Sequence, residues 1–245
     1  MVRLASLALL FAVWFAASWL AGERMLPAPT TVLATLATEA RSGDLFLHLG
    51  ATLARVVLAF SLAMAIGVAA GLVMGRVALV DRLGDPWLIV LLNLPALVII
   101  VLAYIWGGLT ETAAILAVAI NKVPNAIVTI REGARALDPA LDDVVRVFAI
   151  SRWKALRHVV IPQLAPYVAA ASRSGLSLVW KIVLVVELLG RPNGVGFEIG
   201  VAFQLFDVTR ILAYALAFVA VILAIEILLV QPFERRASRW RVQPA

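Results

Sequence analysis

Apolar residues fall in runs of membrane length along this chain, and the polar residues between them are few and clustered. Residues 4–22 carry no charge and end at Glu23 and Arg24. This run is longer than the apolar core of a cleaved leader and holds Trp14 and Trp19, so it reads as a retained span. Leu26-Pro27-Ala28-Pro29 breaks it. The mixed segment that follows, to Leu49 with Glu39, Arg41 and Asp44, reads as an amphipathic helix at the interface. Residues 56–75 form the second span, where Gly67, Gly71 and Gly75 recur every four residues. That spacing allows close helix contact, although small residues without a dimer role read equally well. The third span is 86–106, bent where Asn93-Leu94-Pro95 frees a carbonyl. The fourth is 112–130, interrupted by Asn121, Lys122, Pro124 and Asn125. The fifth, 166–189, includes Arg173, Lys181 and Glu187, and the sixth, 211–230, holds Glu226. About 20 apolar residues suffice to cross a bilayer core. The pattern therefore predicts an all-α integral membrane protein of six transmembrane helices, one domain over 1–245.

Between the fourth and fifth spans, residues 138–166 are polar enough to stay in water. Asp138-Pro139 starts a helix: the Asp can cap free N–H groups, and the Pro lacks an N–H where none is needed. Leu141, Val144, Val145 and Phe148 then share one face, with Asp142, Asp143 and Arg146 opposite. Ser151 can cap a second short helix with Trp153, Leu156 and Val160 on one side, among Arg152, Lys154, Arg157 and His158. Pro162 and Pro166 are expected to end it. The segment is a small amphipathic helix-turn-helix whose apolar faces need something to dock against.

Composition agrees with the pattern: 63% hydrophobic, 15% charged, mean hydropathy +1.01. Soluble chains run nearer half apolar and a quarter charged. There is no Cys, which removes disulfides and thiolate chemistry together. The net charge of +6 is explained by its placement. With six spans, Arg3, Arg76, Arg82, the cations from Arg131 to Arg173, and Arg235, Arg236, Arg239 and Arg241 share one side. Only Arg24, Arg41, Arg55, Arg191 and Arg210 take the other. The positive side is the cytoplasm, so both termini and the helix-turn-helix are expected there.

A DNA-reading helix-turn-helix is disfavoured because spans tether both its ends, so no nucleic-acid partner is expected. No G-x-x-x-x-G-K-[ST] occurs, so the chain is not itself an ATPase. Its only histidines, His48 and His158, lie far apart and outside any HExxH, which leaves neither a catalytic site nor a metal site. An ion-coupled secondary transporter remains the alternative, since charged residues inside spans are common there.

The helix-turn-helix resembles the cytoplasmic loop of bacterial ABC importer permeases, whose pattern is E-A-A, three residues, G, nine residues, I-x-L-P. The matching positions are Asp143-Val144-Val145, Ala149 and Val159-Val160-Ile161-Pro162. Leu26-Pro27-Ala28-Pro29, Asn93-Leu94-Pro95, Leu137-Asp138-Pro139, Ser151-Arg152-Trp153, Glu187-Leu188-Leu189 and Gly194-Val195-Gly196 follow the order of the nitrate/sulfonate/taurine branch. The resemblance covers nearly the whole chain. It implies a multi-pass permease of the bacterial inner membrane that forms the path for a small solute, an organic or inorganic anion such as a sulfonate or nitrate. It implies as partners two ATP-binding subunits, a second copy of the permease, and a periplasmic or lipoprotein substrate-binding protein. The chain itself would bind no cofactor, ATP and Mg residing on the ATPase. It assigns ATPase coupling to Asp143, Arg146, Phe148, Ala149, Ile150, Ser151, Arg152, Trp153, Lys154, Arg157 and Pro162.

Lys122 and Lys181 fall near the middle of a core about 30 Å thick. A lysine there costs at least about 2.5 kcal/mol, so it should face a cavity or a partner rather than lipid. Two readings stay open. Either Glu111, Glu187 or Glu226 pairs with the lysines structurally, or Lys122 and Lys181 line a passage tolerant of an anion. Asn93, Pro95, Asn125 and Glu187 are the other candidate lining residues.

Overall fold

The computed structural model describes residues 2–232, and the described residues are helical with no strand. Helix α1 (Val2–Ala21) leads to α2 (Pro29–Ser42), which starts on a proline and stops at Gly43, whose φ of 91° only glycine adopts cheaply. Helix α3 (Asp44–Arg76) takes in the residues expected to lie at the interface up to Leu49. Then come α4 (Ala78–Asn93), α5 (Ala96–Gly107) and α6 (Glu111–Arg135). Thr110 caps α6 by accepting the Ala113 N–H at 3.2 Å. Helices α7 (Pro139–Val147) and α8 (Arg152–Ala155) precede a π-turn over Leu156–Val160. Last come α9 (Ile161–Gly190), α10 (Val195–Gln204) and α11 (Val208–Ile225), the last ending in a second π-turn.

Among the described residues, four helices are long and apolar enough to cross a bilayer: α3, α6, the continuous Arg152–Gly190 and Val208–Val230. Helices α4 and α5 qualify only as a pair, bent by 97° at Asn93-Leu94-Pro95, which makes up to five spans. The third span is therefore not one bent helix over 86–106. Leu94 is extended at φ −71°, ψ 126°, as steric clash with the ring of Pro95 favours, and the helix restarts after it. The stretch between the second and third expected spans, with Asp81, Arg82 and Asp85, is the start of α4 rather than a loop. A second correction concerns Pro162 and Pro166, which end nothing. The π-turn before them shifts bonding to i−5, with the Ile161 N–H on the Leu156 carbonyl, and the helix runs through both prolines. Ser151 holds the cap position of α8 but makes no side-chain cap bond. The basic residues from Arg235 onward lie outside the described residues.

The chain divides into two compact units, one of residues 2–54 with 183–224, the other of 55–182 with 225–232. In the first, Val32, Val183, Val186, Val195 and Tyr214 are buried, and the Trp14 indole donates to the Pro27 carbonyl at 3.1 Å. In the second, α3 lies directly on α6. A methyl on Gly67 would collide with Ala126, and one on Gly71 would come within 2.8 Å of the Ile127 carbonyl oxygen and the Ile130 side chain. Gly75 meets Ala134 in the same way. The four-residue glycine ladder is thus a seam within one chain. Met64, Ala126, Ile130 and Ala171 fill the space beside it, and Ala134, Leu137, Val160 and Leu164 close the end nearest α7.

Candidate functional site

Helix α7 begins as its sequence requires: Asp138 accepts the Ala140 N–H at 2.9 Å and its own N–H donates to Gln163 Oε1 at 3.0 Å. No residue of α7 is buried. Ala149 joins α7 to α8 with φ of 49°, a left-handed turn in a residue with a Cβ. Through this turn Val147, Phe148 and Trp153 come out 80%, 73% and 69% exposed. Asp143, Arg146, Arg152, Lys154 and Arg157 are exposed around them, and Ile150 is half-buried. Among the described residues Asp143 pairs with Arg146, at 3.6 Å along the same helix. The result is an apolar knob with a charged rim. Pro162 lies in α9, past the π-turn.

Pairings across helices were not foreseen. Arg76 at the end of α3 makes a two-pronged bond to Asp142 of α7, Nη1 to Oδ2 at 2.6 Å and Nη2 to Oδ1 at 2.9 Å. This holds the Asp142 carboxyl below the usual carboxylate range. Arg131 of α6 reaches Asp85 at 2.6 Å and Asp81 at 3.3 Å, and Arg135 also takes Asp81. The signal was present as two matched ladders, Asp81/Asp85 and Arg131/Arg135, each spaced i, i+4. Beside Arg76 and Asp142 lies a cavity of about 330 Å³, lined also by Arg152 and by apolar residues such as Leu72, Val145, Leu156 and Val160.

The membrane-depth residues separate into groups. Lys122 is 1% exposed, its stem filling the notch left by Gly175 of α9. Lys181 is exposed. Neither has a carboxylate within ion-pair distance among the described residues. The acids expected to pair with them are engaged elsewhere, Glu111 by Arg55 at 2.7 Å and Glu226 by Arg173 at 3.4 Å. Glu187 is fully buried, accepting from the Thr52 hydroxyl and from the Gly196 N–H, both at 2.9 Å. These bonds already account for its burial. Asn93 donates to the Ile89 carbonyl at 2.7 Å, and Asn125 is exposed.

The first unit holds a further polar cluster. His48 Nδ1 accepts the Gly194 N–H at 3.0 Å, so its proton sits on Nε2, 3.1 Å from Glu198. Arg210 joins Glu198 at 2.9 Å, and Tyr214 donates to Glu39 at 2.7 Å. Its members come from four separated stretches, so no local pattern announces it.

Residues 63–238 match the family described as the binding-protein-dependent transport system inner membrane component. The chain belongs to this family. The permease is 28% identical to the aliphatic sulfonates transport permease SsuC of Bacillus subtilis (strain 168), over 96% of this chain and 85% of that one. It is 28% identical to the taurine transport system permease TauC of Escherichia coli (strain K12), over 98% and 89%. It is 26% identical to the nitrate import permease NrtB of Synechococcus elongatus, over 81% and 75%. These relatives place it in the nitrate/sulfonate/taurine branch. Its fold is similar to a chain of the inward-facing MetNI methionine ABC transporter, with a TM-score of 0.70 over 82% of this chain and 99% of that one, at 16% identity. The protein is thus a multi-pass inner-membrane permease of an ABC importer, a transport component rather than a catalytic one. That assignment sets aside the ion-coupled secondary transporter.

Proposed function

We propose that the permease carries a small oxyanion, such as an organic sulfonate or nitrate, through a path powered by a separate ATPase that docks on α7 and α8. The observation that carries this is the apolar knob of Val147, Phe148 and Trp153, exposed where α7 and α8 meet, two helices with no buried residue, and ringed by charge. A surface of this kind needs a partner, and buried aromatic anchors dominate such contacts. Residues 138–166 are then the coupling loop of a single permease domain over 1–245. In this reading α1 and the α4–α5 pair complete six spans, with both termini and the loop in the cytoplasm. Two copies of the permease would assemble with two ATPases, which hold ATP and Mg, the chain itself binding neither. A periplasmic or lipoprotein binding protein would deliver the solute.

Lys122, with Lys181, Asn93, Pro95 and Asn125, is assigned to the path, and Glu187 to holding the start of α10 within its own unit. An unpaired lysine at this depth favours an anion as its passing partner. Trp153→Ala removes an anchor worth about 2 kcal/mol or more, and Asp143→Arg reverses a rim charge. Both should weaken assembly with the ATPase, or uncouple hydrolysis, while the spans stay folded. ATP-driven uptake of taurine and nitrate into vesicles holding the whole complex tests the path. The Lys122→Met, Lys181→Met pair should lower uptake with assembly intact. Parent-like assembly and uptake in all these variants would overturn the assignment.

A further inference from the structure

An exposed helix can collect a displacement, but something must hand that displacement on to the spans. Helix α7 buries no residue, so packing alone holds it poorly. Its side-chain link to α3 is the two-pronged pair of Asp142 with Arg76, which joins positions 66 residues apart. Paired N–H···O bonds of this type fix orientation as well as distance, which a single ammonium cannot do. Two features make this pair suited to transmission. Behind it lies the cavity of about 330 Å³, so the side of α7 that carries Asp142 and Val145 is not packed solid and the helix has room to tilt. Beyond it, α3 is locked to α6 along Gly71 and Gly75, where backbone and side chains of α6 leave no space for even a methyl group. A pull on Arg76 therefore moves two helices together. The Arg131 and Arg135 bonds to Asp81 and Asp85 extend that rigid body to α4.

We infer that the Arg76–Asp142 pair is a transmission contact, which passes movement of α7 to α3 and the helices fastened to it. Arg76 and Asp142 are positioning residues: they touch neither ATP nor solute. The inference rests on the reading of α7 and α8 as the ATPase docking surface.

The test uses the assembled complex of permease, ATPase and binding protein, and needs no knowledge of the solute. The chain has no native Cys. A single bimane label can therefore be placed on α7 at Val147→Cys or on α3 at Val73→Cys, both exposed positions. Emission is read before and after trapping with ATP and vanadate. In the parent both labels should respond. With Asp142→Asn the α7 label should respond as before, while the α3 response falls about fivefold or more, the lower end of ordinary coupling between sites. The swap Arg76→Asp, Asp142→Arg should restore the α3 response, which a merely destabilising change would not do. An α3 response that is unchanged in Asp142→Asn, or not restored by the swap, would overturn the inference. A parent α7 label that stays silent would instead overturn the docking reading on which it rests.

Discussion

Single residues in this permease are constrained most where the backbone is unusual. Gly194 has φ of 114°, and a Cβ there would run into the Glu187 carboxylate. Gly50 lies in α3 with nothing within 4 Å of where its Cβ would be. The same substitution should therefore act in opposite directions. Gly194→Ala is expected to destabilise by about 1–3 kcal/mol, the usual cost of a conformation that only glycine tolerates. Gly50→Ala is expected to stabilise by about 0.5–1 kcal/mol, because glycine in a helix is the more entropically costly residue. Thermal melts of the two variants in detergent check both signs. At this scale the sequence was informative where chemistry is local. Asp138 and Pro139 announced a helix start, whereas the left-handed turn at Ala149 is hinted at only by the family pattern, which has a glycine there. The sequence was silent about partners held by distant elements. Nothing near Glu187 in the chain names Thr52, and nothing near His48 names Gly194.

Between elements, the glycine ladder of α3 was legible as one face that permits a close contact, because spacing along one helix fixes a face, but not as a contact that must form. Which helix it meets was not, because that depends on the complementary small residues Ala126 and Ala134 on α6. The break between α4 and α5 was half legible: Pro95 says that a helix must yield, but not that the yield is 97°. The continuity of Arg152–Gly190 through two prolines was misread, because a π-turn leaves no mark in a periodicity search. The Arg76–Asp142 pair between α3 and α7 makes a prediction in pH. A lowered carboxyl pKa means that the folded state binds its proton less readily than the unfolded chain does. The pair therefore contributes fully above the ordinary aspartate value of about 3.9, and less as pH falls through the lower folded value. The difference in melting temperature between parent and Asp142→Asn should be flat from neutral pH down to about pH 5. It should then shrink on further acidification. A gap that widens in acid would contradict the sign.

For the whole molecule, hydropathy alone identified a membrane protein, and the order of short motifs identified the branch. The proposed number of crossings rests on hydropathy and the proposed sidedness on charge placement, and single-Cys reporters can check both because the chain has no Cys of its own. Labels at Ala136 should react only with reagent on the cytoplasmic side, and labels at Ser42 only with reagent outside. Both positions are exposed. Reaction of both from the same face would remove the six-span arrangement. The π-turn at Leu156–Val160 carries one further consequence for the chain as a whole. A π-turn holds one residue more than the regular helix needs, so it sets the angular phase between everything before it and everything after it. Deleting His158 should let the turn close into ordinary α-helix and rotate α8 by about 100° relative to α9. The loop would keep its composition and exposed area, yet Trp153 would face another direction. Loss of ATPase binding in a folded His158 deletion would mean that the partner reads the angle of this helix as well as its surface.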